Sequence, residues 1–125
     1  MSDEKILLIE DDHDNMGLIH FILEREGFSV LEAYDGHTGM NLARQEQPDL
    51  ILLDLAMPEI DGWTVAGILK SDPVTQNIPI VALTVRSLSE DRKRAFDAGC
   101  NGYITKPMGV TFFTEEIKKY LQGVV

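Results

Sequence analysis

Five short apolar runs punctuate the chain at intervals that leave room for one helix between each pair, and few folds accommodate such a pattern. The runs are Lys5-Ile-Leu-Leu-Ile9, Phe28-Ser-Val-Leu-Glu32, Asp49-Leu-Ile-Leu-Leu53, Pro79-Ile-Val-Ala-Leu83 and Gly102-Tyr-Ile-Thr105. The first, third and fourth are almost unbroken Val, Ile and Leu, without the in-and-out alternation of a half-exposed strand. That is how a parallel strand covered on both faces reads. The intervening segments have helical period. Asp14 to Glu26 offers Ile19, Ile22 and Leu23 as one face, with Met16 and Leu18 at its edges and Gly27 as the stop. Gly36 to Glu46 ends before Pro48, and Gly62 to Lys70 carries Val65, Ile68 and Leu69. A helix opening at Ser89 as N-cap carries Ala95, Phe96 and Ala98, and a last one spans Thr111 to Leu121 with Phe113, Ile117 and Leu121. Strict alternation of strand and helix predicts an α/β fold, a (βα)5 doubly wound three-layer sandwich around a parallel sheet.

The remaining bulk properties narrow the function. At 125 residues the chain makes about one domain at roughly 150 residues each, so 1–125 reads as a single domain without an output domain. Eleven basic against 21 acidic side chains give a formal charge of −10, which argues against nucleic acid and against an anionic membrane surface as partner. One cysteine, Cys100, allows no intrachain disulfide and no Cys-based zinc site, as expected in a reducing compartment. No leader-like start and no membrane-length apolar run is present, so the expected location is the cytoplasm.

Open α/β sheets bind ligands beyond the carboxyl ends of their strands, at the point where strand order reverses. Directly after the first run stand Glu10-Asp11-Asp12-His13-Asp14; after the third, Asp54; after the fourth, Thr84; after the fifth, Lys106-Pro107. With the first and third strands as neighbours, Asp11, Asp54 and Glu10 converge in one shallow pocket. Carboxylates so close repel, so either a cation neutralises them or they point apart. An all-oxygen ligand set favours Mg²⁺ or Ca²⁺ over zinc or copper, and the stretch lacks the ligand spacing and glycine of an EF-hand loop. Asp14 has the alternative of capping the following helix. Cys100 reads as a small buried residue, the three histidines as scattered, and Trp63 as a spectroscopic reporter without chemical duty.

Glu10-Asp11, Asp54 within Asp54-Leu-Ala-Met-Pro-Glu-Ile-Asp-Gly62, Thr84 and Lys106-Pro107 together resemble the receiver domain of two-component response regulators, over nearly the whole chain. The resemblance implies the sheet order 2-1-3-4-5 of flavodoxin-like topology. It implies a signalling switch that catalyses only its own phosphorylation and dephosphorylation. Asp54 is then the phosphoacceptor, taking a phosphoryl group from a phosphohistidine of a sensor histidine kinase or histidine phosphotransfer protein. Asp11, Asp54 and the carbonyl of Ala56 bind Mg²⁺, with Glu10 holding a metal-bound water. Lys106 pairs with Asp54 and then with the phosphoryl group, Thr84 moves to hydrogen-bond it, and Tyr103 changes rotamer. Pro107 fixes the backbone beside Lys106 and is the candidate for a cis peptide bond. The output face comprises the fourth helix, fifth strand and fifth helix, with Tyr103, Val110 and Phe112 rimmed by Arg92 and Lys119. The first helix, with His20 and Met16, is the kinase-docking face. The oligomeric state implied is a monomer or a weak phosphorylation-dependent dimer.

Three positions depart from the family pattern. Val85 stands where a small residue is usual and narrows access to the phosphoryl group, while Ala56 and Arg86 flank the route of attacking water. Together they suggest a long-lived aspartyl phosphate. The competing readings are a phosphorylation-independent pseudo-receiver, an Asp-nucleophile Mg²⁺ phosphatase and a flavin module. The phosphatase wants an acid where Ala56 stands, and the flavin module wants a phosphate-cradling loop where this chain has acids.

Overall fold

The structure, a computed structural model, describes residues 4–84, 89–106 and 109–122. Along the chain run β1 (Lys5–Ile9), α1 (His13–Arg25), β2 (Ser29–Ala33), α2 (Gly36–Glu46), β3 (Leu50–Asp54), α3 (Gly62–Ser71), β4 (Ile80–Thr84), α4 (Ser89–Asp97), β5 (Gly102–Thr105) and α5 (Val110–Leu121). The five strands form one parallel sheet in the order β2-β1-β3-β4-β5, as expected. Hydrophobic cores cover both faces. Leu7, Ile9, Ile51, Leu53, Ile80 and Ala82 pack under α2 and α3 and against Ala95 of α4. The alternate residues Ile6, Leu8, Leu50, Leu52, Val81 and Leu83 pack under α1 and α5, against Met16, Ile19, Leu23, Phe113 and Ile117. This double burial is why β1, β3 and β4 are apolar at nearly every position: a strand with no solvent face has no place for a polar side chain.

The boundaries fall within a residue or two of expectation, and the differences have local causes. α1 begins at His13 because Asp12, not Asp14, is its N-cap, accepting hydrogen bonds from the amides of Asp14 at 2.8 Å and Asn15 at 3.1 Å. Its buried face is set by Met16, Ile19 and Leu23, spaced three and four apart. Met16 is therefore fully buried in the sheet-facing core, while Leu18, on another side of the helix, is 59% exposed. The expectation that Met16 belongs to a docking face is corrected accordingly. Of the apolar residues expected on α4, Ala95 takes the core position while Phe96 beside it is 43% exposed. The side chain of Ser89, the expected cap of α4, lies outside the described residues.

Two glycines make close approaches to or from α3. Gly62 opens the helix against the end of β3, where an added Cβ would lie 2.6 Å from both the Asp54 carbonyl oxygen and the Leu55 Cα. Gly99 ends the α4 segment with a left-handed φ of 108°, packed over the aliphatic stem of Lys70. Among the described residues no helix is long and apolar enough to cross a membrane.

Candidate functional site

Parallel pairing of β1 with β3 sets Ile9 opposite Leu53, so the next residues on the two strands, Glu10 and Asp54, emerge side by side at the carboxyl edge of the sheet. Asp11 comes next along the β1–α1 loop. One carboxylate oxygen from each of Glu10, Asp11 and Asp54 lies within 4.8 Å of the others. Glu10 is 1% exposed and Asp54 6% exposed, while Asp11 is partly open to solvent. Lys106 follows β5, and its amide donates to the Thr84 carbonyl at 2.6 Å, which brings its side chain across the end of β4. Its Nζ donates to Glu10 Oε1 at 2.6 Å and stands 4.0 Å from Asp54 Oδ2. Lys106 thus faces Asp54, as expected, and makes a shorter contact with Glu10.

The remaining contacts are few. Asp54 Oδ1 accepts from the Ala56 amide at 3.1 Å, and Glu10 Oε2 accepts from the Asp12 amide at 3.2 Å. Burial pushes the Asp54 carboxyl up to about 7, with a hydrogen bond and charge from Glu10 adding to the rise and Lys106 and the Ala56 amide opposing it. Among the described residues, three acids face one ammonium, which leaves them with uncompensated negative charge. Hard oxygen donors, two of them buried, fit a small divalent cation of the Mg²⁺ type.

The other expected site residues are placed unevenly. Thr84 is buried at the end of β4, with Thr105 as its partner in β5. Tyr103 is half-buried on β5, with the Arg92 guanidinium 5.7 Å from its ring centre. Ala56 is exposed. Val85, Arg86 and Pro107 lie outside the described residues. Phe112 and Val110 are both exposed, and Val110 lines with Leu18, Phe21 and Ile22 a depression between α1 and α5. His20 sits between Glu32 at 2.6 Å and Glu24 at 3.1 Å, tying α1 to β2. Sequence reasoning passed over Arg94, whose guanidinium carbon lies 4.1 Å from the centre of the Trp63 ring. No spacing rule links residues so far apart in the chain.

The model of the response regulator receiver domain matches residues 6–118 of this chain. The chain belongs to the response-regulator receiver domain family. Among its relatives is the polar-differentiation response regulator DivK of Brucella anthropi, 36% identical over 118 residues, which cover 94% of this chain and 96% of that protein. A response regulator from Chloroflexus aurantiacus superposes with a TM-score of 0.92 at 26% identity, covering 97% of this chain and 99% of that one. The receiver domain of a sensor histidine kinase from Pseudomonas aeruginosa superposes with a TM-score of 0.90 at 28% identity over the same shares, and carries a magnesium ion coordinated in its active-site cleft. As a receiver domain of two-component signalling, this chain is a switch module rather than a classical enzyme.

Proposed function

We propose that this receiver domain is a phosphoaccepting switch in which Asp54 takes a phosphoryl group from a phosphohistidine on a sensor histidine kinase or histidine phosphotransfer protein. The observation that carries the reading is the buried Asp54 carboxylate, within 4.8 Å of oxygens of Glu10 and Asp11 and 4.0 Å from the Lys106 ammonium. A carboxylate is a competent nucleophile for phosphoryl transfer when the charge developing on the phosphoryl oxygens is neutralised. An Asp54 oxygen forms the new P–O bond as the P–N bond of the phosphohistidine breaks. The electron pair leaves with the imidazole nitrogen, which then takes up a proton from solvent.

Asp11, Asp54 and the Ala56 carbonyl would hold Mg²⁺, with Glu10 holding a metal-bound water, and the ion when bound would supply electrostatic neutralisation of the transferring phosphoryl group. Lys106 moves from Glu10 to a phosphoryl oxygen, and the Thr84 hydroxyl, buried beside it, donates to another. Tyr103 and the face formed by α4, β5 and α5 carry the change to a downstream protein. The test is the intact mass of the protein after incubation with acetyl phosphate and Mg²⁺. A single phosphoryl adduct is expected, absent in Asp54→Ala and in EDTA. No adduct from either acetyl phosphate or a phosphorylated histidine kinase overturns the reading in favour of a phosphorylation-independent interaction module.

A further inference from the structure

α4 is attached to the body of the domain in an unusual way. Among its described side chains, those of residues 90–97, one is fully buried, Ala95, and Phe96 is left 43% exposed. Two arginines make up the difference. Arg92 lies over Tyr103 of β5, and Arg94 lies closely over Trp63 of α3, 4.1 Å from its ring centre. The Trp63 indole Nε1 is buried and has no hydrogen-bond partner among the described residues. A buried donor left unsatisfied is unfavourable, so packing and the guanidinium above the ring are what keep the indole in place.

Trp63 is also locked to the acidic pocket. It follows Gly62, whose amide donates to the Leu55 carbonyl at 3.0 Å and which is packed directly against the Asp54 carbonyl and the Leu55 backbone. Beyond the far end of α4, Gly99 is seated on Lys70 of α3, whose Nζ donates to the carbonyls of Ile78 at 2.6 Å and Gln76 at 3.2 Å. The α4 segment is thus pinned beyond its end by Gly99 and strapped in its last turn by Arg94, with the strap fastened on the residue that follows Gly62. We propose that Arg94 is a positioning residue that couples α4 to the Asp54 pocket through Trp63, so that occupation of the pocket and displacement of α4 bias one another. This rests on the reading of Asp54 as phosphoacceptor. By linkage the coupling is reciprocal: loosening α4 changes affinity at the pocket by the factor with which the pocket's ligand changes α4.

The full chain serves for the test, because Trp63 is its sole tryptophan. Arg94→Met keeps the stem and removes the cation, Arg94→Lys keeps a cation over the ring, and Arg92→Met shows the effect of loosening α4 from β5 alone. Amide hydrogen exchange is measured without ligand, and binding of beryllium trifluoride with Mg²⁺ is followed by calorimetry and Trp63 emission. Arg94→Met is expected to speed exchange in residues 55–61 as well as in α4, and to change the beryllium trifluoride affinity roughly 2- to 30-fold. Arg94→Lys is expected to recover most of both effects. The proposal is overturned if Arg94→Met alters exchange in residues 55–61 and affinity no more than Arg92→Met does. Wild-type protein that binds no beryllium trifluoride would refute the phosphoacceptor reading instead, and the exchange measurement would still decide the coupling.

Discussion

Asp54 is asked both to be buried and to be charged, and the protein groups around it favour the first. Burial, then Glu10, raise its carboxyl from the ordinary 3.8 to about 7. Between those values the folded chain holds a proton that the unfolded chain has released, so stability falls as pH rises from about 4 to about 7 and stays at the lower level above. Asp54→Asn removes that slope. In EDTA its melting temperature is expected to exceed that of wild type at pH 8 and to approach it at pH 5; parallel melting curves across the range would refute the account. His20 adds a slope of the same sign in a different window. Partial burial lowers its pKa, but Glu24 and Glu32 outweigh that and raise it, so its contribution is complete below 6.5 and fades as pH climbs through the raised value. His20→Gln separates the two. Lys106 tests the pair with Glu10. Both partners are nearly inaccessible, and removing one of a buried pair typically costs about 3–5 kcal/mol. Lys106→Met is expected to lose about that much in urea unfolding, with Glu10→Gln added to it restoring a large part, because the second change removes the stranded charge.

Glycines in α3 separate what the element needs from what the site needs. Gly67 faces open space in the interior of the helix, so Gly67→Ala is expected to stabilise by roughly 0.5–1 kcal/mol. Gly62, five positions earlier, abuts rigid backbone at Asp54 and Leu55, and Gly62→Ala must push the β3–α3 loop away. The expected loss is roughly 1–3 kcal/mol, together with weaker Mg²⁺ binding, read from urea unfolding and calorimetry. Equal effects from the two substitutions would contradict this. The helices also show what sequence could and could not convey. Continuous apolar runs and their spacing sufficed for the sheet, because burial on both faces suppresses every polar choice along β1, β3 and β4. Helix phase was harder. Met16 and Leu18 are both apolar, and only contact with the sheet decides that the first is inside. At the site, acids placed directly after strands were legible, since strand ends are fixed by pairing. That Lys106 bonds Glu10 across 96 positions was not, for it turns on side-chain reach in three dimensions.

At the scale of the whole molecule, a formal charge of −10 opposes the compact state by self-repulsion, and three acids are concentrated at one edge of the sheet. Two cationic remedies are distinguishable. Monovalent salt at 0.1 M screens exposed charges from one another beyond about 10 Å but reaches buried ones poorly. A divalent ion held by Glu10, Asp11 and Asp54 acts on the buried ones directly and stabilises by linkage, by about 2.7 kcal/mol at a hundredfold excess over its dissociation constant. Mg²⁺ is therefore expected to raise the melting temperature well beyond NaCl of matched ionic strength. The extra increment should vanish in Asp11→Asn, which removes a ligand at the partly open position while leaving both buried acids in place. It should also grow between pH 6 and pH 8, since Mg²⁺ must displace the proton that Asp54 retains up to about 7. Thermal melts over a grid of pH and Mg²⁺, with Asp11→Asn alongside, measure all three. A Mg²⁺ increment equal to that of NaCl, or unchanged in Asp11→Asn, would mean that the acidic edge carries dispersed surface charge and holds no ion.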